Sequence, residues 1–208
     1  MSNPANPADP PRTDRRSVQP GWLRLTHWIN VLAVLAMVMS GWRVYNASPL
    51  FDFRFPNGLT LGGWLGGALQ WHFAAMWLLV GNGLVYLAVN LASGRLARRF
   101  FPLTPRGIVH DAVAALRGKL SHADLRQYNH VQKAAYLFVI ADLAVLVLSG
   151  LSIWKPVQFS VLVALMGGYD TGRVVHFSAM ALLLAFVIVH VVMVALVPRT
   201  LRTMIIGR

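Results

Sequence analysis

The sequence predicts an all-α integral membrane protein: a four-helix bundle with both termini cytoplasmic and an amphipathic helix in the cytoplasmic loop. Three observations lead there. Apolar residues make up 56% of the chain and charged residues only 12%, a balance outside that of soluble globular proteins. Four apolar stretches each reach the roughly 20 residues needed to cross a hydrocarbon layer of about 30 Å. The basic residues, finally, gather on one side of those stretches.

In chain order, residues 1–21 (MSNPANPADPPRTDRRSVQPG) are rich in Pro, Asn and Asp. Such a segment cannot bury enough apolar surface to fold, so it reads as a disordered tail. It lacks the charged start, apolar core and small-residue cleavage site of a signal peptide, and the first span is expected to be retained as an anchor. Residues 22–208 then form one domain with spans at about 27–45, 69–92, 134–154 and 174–197. Arg12, Arg15, Arg16 and Arg24 precede the first span. Arg95, Arg98, Arg99, Arg106, Arg117, Lys119, Arg126 and Lys133 lie between the second and third, and Arg199, Arg202 and Arg208 follow the fourth. Only Arg43, Arg54, Lys155 and Arg173 fall on the opposite side. Positive charge stays inside, which puts both termini and the long middle loop in the cytoplasm. The net charge of +12 is thus a topology signal, with contacts to anionic lipid, and does not point to nucleic acid.

An ionisable side chain inside an apolar span is costly and usually functional. Four of the seven histidines are so placed: His27, His72, His176 and His190. His176 and His190 share one span, fourteen residues apart, which puts both on one helix face about 21 Å apart. Depth sorts the four into two pairs, His27 with His190 near the cytoplasmic face and His72 with His176 near the outer face. The chain has no cysteine, which argues against the usual structural zinc sites, thiolate-held iron-sulfur clusters and covalently attached c-type haem. A planar haem held between two helices needs one imidazole on each face and an apolar wall. Two non-covalent b-type haems fit this inventory best.

The glycines Gly41 and Gly150, each in a Ser-Gly pair, with Gly81 and Gly83, allow close approach either of helices to one another or of a large cofactor. A short internal repeat runs alongside: HFAAMWLL from His72 resembles HFSAMALL from His176, and VMSGW from Val38 resembles VLSGL from Val147. It pairs the first two spans with the last two and sets His72 against His176 across a pseudo-twofold axis.

The segments RLTHWINVLAVLAMVMSGW, WHF, YNHVQKAAYLFV and the final H-x13-H resemble bacterial di-haem cytochrome b membrane subunits over nearly all of residues 22–198. That family includes the b-type subunits of nickel-iron hydrogenase, formate dehydrogenase and thiosulfate-reductase-type complexes, and the related cytochrome b561 proteins. The resemblance implies His27 and His190 as metal ligands of the cytoplasmic-side haem and His72 and His176 as those of the outer one. It also implies an electron-transfer subunit of an oxidoreductase complex in the respiratory chain, working between a periplasmic redox enzyme subunit and the quinone pool, with quinone oxidised or reduced near the cytoplasmic-side haem. Two alternatives stay open: a self-contained cytochrome b561-type quinone oxidoreductase, and a haem-free proton-coupled channel or transporter.

Around these centres, Arg24 and Arg173 each lie one turn from a ligand histidine and are candidates for haem propionates, with Arg43 a weaker one; the competing role is snorkelling to headgroups. His130, entering the third span, is the rival to His27 or a residue near the quinone. Asp142, in mid-span, either relays protons or hydrogen-bonds to Asn30 or Asn82. His110 and His122 read as solvated loop residues. In the middle loop, PRGIVHDAVAALRGKL has Ile108, Val109, Val113 and Leu116 near helical spacing, the pattern of a helix lying on the membrane surface. The outer loop 46–69, rich in aromatics and glycine, suggests either a docking face for the partner or an interfacial aromatic belt.

Overall fold

In a hydrocarbon layer each backbone N–H and C=O must be paired within the chain, which leaves helices as the way for an apolar segment to cross. The computed structural model, which describes residues 19–94, 103–116 and 130–207, has four such helices: α1 (Gly21–Ala47), α2 (Leu65–Ala92), α4 (His130–Trp154) and α6 (Tyr169–Leu196). The middle loop contributes α3 (Pro105–Leu116), a short α5 (Ser160–Leu165) precedes α6, and α7 (Pro198–Ile205) follows it. The tail expected at 1–21 lies almost wholly outside the described residues, as do His122 and most of the loop around α3. The spans start earlier than the apolar runs do, by four to six residues. Helical hydrogen bonding does not require apolar side chains, so the polar turns that carry Trp22, Arg24 and Asp170 continue the same helices into the interface.

The four spans form two hairpins, α1 packed on α2 and α4 packed on α6, with backbones close within each hairpin and farther apart between them. Small residues allow the close approach. The buried apolar side chains are mostly alanines, Ala33, Ala68, Ala75 and Ala179, joined by Val38 and Leu183, and the largest fully buried side chains are Ser40 and Ser149. Large apolar residues such as Leu32, Trp77, Leu84, Ile188 and Leu196 face outward, as expected of a surface solvated by lipid. One polar tie strengthens the first hairpin: Asn82 Nδ2 donates to the Thr26 carbonyl and to Asn30 Oδ1, both at 2.7 Å.

Both ends of the bundle are fastened. At one end, Pro198 at the start of α7 ends α6, since a proline has no N–H to continue the ladder. The turn brings α7 back onto α1, where Arg24 Nη1 donates to the Ile205 carbonyl at 2.9 Å and Trp28 Nε1 to that of Met204 at 3.1 Å. At the other end, Gly167 and Gly168 adopt positive φ, 81° and 106°, and make the sharp entry into α6 that a side chain would strain. The loop from α1 to α2 folds over this end, with Asn46 paired to both backbone groups of Phe55 at 2.8 and 2.9 Å. Its aromatic rings pack on α6: Tyr45 and Phe51 meet Phe177 at centroid distances of 5.2 and 5.4 Å.

Candidate functional site

The gap between the hairpins holds the four histidines. His27, in the second turn of α1, faces His190, in the second-last turn of α6, with ring centroids 6.1 Å apart and planes at 61°. His72, in the second turn of α2, faces His176, in the second turn of α6, at 6.5 Å and 66°. Each pair has one ring on the first hairpin and one on the second, so α6 serves both. The fourteen-residue spacing of its two histidines separates the pairs by about 21 Å along the bundle. The His27–His190 pair lies at the end where the chain termini emerge; the His72–His176 pair lies at the end covered by the aromatic loop.

These separations leave room for one metal ion between two rings. Two metal–imidazole bonds of about 2.0–2.1 Å, each extended by roughly 1 Å from nitrogen to ring centre, span roughly 6 Å. Among the described residues no three of His, Asp or Glu converge on a common point. The arrangement therefore suits a metal whose remaining ligands come from a macrocycle, and the residues fit a haem between each pair. The walls agree with this: Phe186 stacks on His190 at 6.0 Å, and Gly41 and Gly150 lie against the edges of His72 and His176.

The two rings at the loop end are also hydrogen-bonded. His72 Nδ1 lies 3.1 Å from both Ser40 Oγ and the Met37 carbonyl oxygen. His176 Nδ1 lies 3.0 Å from Ser149 Oγ. The sequence singled out the Ser-Gly pairs for their glycines and missed the serines, although their recurrence in the internal repeat was the available signal.

The other residues noted in the sequence take varied places. Arg24 is tied to α7 as described, while its Nε is buried with no hydrogen-bond partner and points to a further acceptor. Arg173 binds the Ser48 carbonyl and Oγ and lies 3.9 Å from Asp170. Arg43 Nη1 donates to Asn57 Oδ1 at 2.8 Å. His130 is brought to α3, its ring against Gly107 and its backbone N–H donating to Asp111 Oδ2 at 2.7 Å. That bond, and the His110 side chain beside it, hold the Asp111 carboxyl below its ordinary range. Asp142 departs from expectation: it is buried with Oδ2 unpartnered, because Asn30 and Asn82 are bonded to each other on the opposite hairpin. The α3 helix forms where its apolar spacing predicts, with Ile108 half-buried and Val109 and Val113 exposed, and it meets α4 through Gly107 and Asp111.

The sequence pattern of the prokaryotic cytochrome b561 family matches residues 18–207. The chain belongs to that family. It is accordingly a multi-pass membrane protein of the b-type haem class and an electron-transfer subunit. Among its relatives is a protein of Azospira oryzae named "Putative protein-methionine-sulfoxide reductase subunit YedZ1", 64% identical over 191 residues, which cover 92% of this chain and 96% of the relative. Family membership and the four spans agree with the resemblance seen in the sequence.

Proposed function

We propose that the chain carries two b-type haems, one between His27 and His190 and one between His72 and His176, and passes electrons from quinol in the membrane to a periplasmic methionine-sulfoxide reductase. The observation that carries the reading is the pair of imidazole pairs, each spanning the two hairpins at 6.1 and 6.5 Å. A haem at each place supplies a one-electron carrier, and two of them at different depths make a path across the bilayer. The protein's own part is to fix the rings, exclude water with its apolar walls and neutralise the propionates. Arg24, with its unpartnered Nε, suits the propionates at the termini end, and Arg173, one turn before His176, those at the loop end.

The distribution of Lys and Arg supports an orientation with both termini and α3 in the cytoplasm and the loop-end pair near the periplasm. The direction of flow follows from the relative's name. A reductase consumes electrons: reducing a sulfoxide to a thioether and water takes two electrons and two protons, and oxidising one quinol releases the same number of each. The aromatic surface of Phe51, Phe53 and Trp64 beside the loop-end pair supports docking of the reductase there.

The test is spectroscopic and then catalytic. Purified protein should show a reduced b-type α band with two haems per chain, bleach and recover with quinone and quinol, and support consumption of methionine sulfoxide when a periplasmic reductase of the same organism is added. Protein without a b-type band would sink the reading in favour of a haem-free transporter. Quinol oxidation by a soluble oxidant with no transfer to the reductase would favour a self-contained oxidoreductase.

A further inference from the structure

We propose that Ser40-Gly41 and Ser149-Gly150 are two equivalent seats that hold His72 and His176 as Nδ1-protonated imidazoles and thereby lower the reduction potential of the haem between them. The inference rests on the two-haem reading above and adds to it the residues that tune one of the centres.

The serine hydroxyls show which way the hydrogen bonds run. Ser40 Oγ donates to the Ala36 carbonyl at 2.5 Å, and Ser149 Oγ to that of Val145 at 2.6 Å. With its one proton so engaged, each hydroxyl meets the imidazole as an acceptor. The Met37 carbonyl oxygen, 3.1 Å from His72 Nδ1, can only accept as well. Nδ1 must therefore carry the proton in both rings, and the lone pair sits on Nε2, the nitrogen a metal would use. The same serine and glycine contacts recur in each hairpin, at matching places in the internal repeat.

The glycines complete the seat. A Cβ at Gly41 would lie 3.3 Å from His72 Cε1, and one at Gly150 would lie 3.3 Å from His176 Cε1. Only glycine lets the ring edge lie this close to the helix carrying its acceptor. Packing alone does not call for serine here: alanine would fill nearly the same space, and both serines are 0% exposed, where an extra polar atom is costly unless it is used. The other pair supplies an internal control. Among the described residues, His27 and His190 have ring contacts with Trp28, Phe186 and each other, and no hydrogen bond to either ring is found.

An acceptor on Nδ1–H makes an imidazole a stronger electron donor through Nε2, which favours ferric over ferrous iron. Removing one of two acceptors should therefore raise the potential of the loop-end haem and leave the other unchanged. Redox titration of the haem-loaded Ser40→Ala and Ser149→Ala proteins tests this, with His72→Ala, which should lose the loop-end haem, assigning the two potentials. Each serine variant should shift one potential upward, the double variant further, with a matching change in that haem's low-spin ferric EPR signal. Gly41→Ala should perturb the same signal by pressing on the ring. Two haems at unchanged potentials in both serine variants would overturn the proposal while leaving the two-haem reading intact, as would equal shifts of both haems. Absence of haem from the wild-type protein would overturn both.

Discussion

A histidine in a membrane span is conspicuous because the bilayer makes its polar nitrogens costly to leave unused. Four of them, meeting in two pairs across the gap between hairpins, give a direct prediction. His27→Ala and His190→Ala should each lose the same single haem, His72→Ala and His176→Ala the other, and haem extraction with optical redox titration should count one remaining per chain. His130→Ala should retain both, because its ring lies against Gly107 of α3 and its backbone is held by Asp111. Loss of a haem in that variant would transfer the ligand role from His27 to His130. These residues were legible from sequence because an apolar context isolates them, and because a fixed rise per residue converts position into depth. Ser40 and Ser149 were not. A serine in a spanning helix ordinarily bonds a carbonyl of its own preceding turn, as both do here, and the second bond to a histidine depends on the register of one helix against its neighbour. The suggested pairing of Asp142 with Asn30 or Asn82 is absent for a related reason, since which groups meet across the bundle is set by how the hairpins pack, which no local pattern encodes.

Elements show why the bundle has two unlike ends. Under the internal repeat, α1 corresponds to α4 and α2 to α6, so His72 and His176 are each other's counterparts and form one symmetric site. His27 and His190 have as counterparts Tyr136 and Tyr86, which cannot form the same pair, and the termini-end site is therefore single and one-sided. The repeat was visible as two short matches; what it does to the site became visible only when the helices were placed. The α3 helix, which forms where its apolar stripe predicts, is joined to α4 by a carboxylate at a helix start, where backbone N–H groups are in need of acceptors. This makes the junction pH-dependent with a definite sign. Asp111 is held below its ordinary value of 3.8, first by the His130 N–H and then by His110, so the tie is fully present above that value and is lost as pH falls through the depressed one. Amide exchange at His130 should thus stay slow throughout the neutral range and down past the ordinary aspartate value, then accelerate. In Asp111→Asn it should be faster at neutral pH, with this step removed. Equal exchange in the two proteins from acid to neutral pH would show that the bond does not hold α3.

For the molecule as a whole, function depends on which end faces which compartment, and the charge pattern predicts which. Fifteen of nineteen Lys and Arg residues lie on the side of the termini and α3, and the four others are Arg43, Arg54, Lys155 and Arg173. Inverting the bundle would require most of these charges to be translocated, against the bias that sets orientation during insertion. The chain has no cysteine, so a single introduced one is a unique reporter. Ser160→Cys, exposed at the start of α5, should react with a membrane-impermeant thiol reagent added to cells whose inner membrane is intact. Arg199→Cys, exposed in α7, should react only after lysis. The reverse pattern would put the loop-end histidines in the cytoplasm and remove the periplasmic reductase from reach. With the predicted pattern, the Ser-Gly-seated haem of lowered potential is the one nearest the partner. On the proposed function, electrons leaving toward a sulfoxide would depart from the centre of lower potential, and the His27–His190 pair, which lacks these seats, would hold the haem that receives them from quinol first.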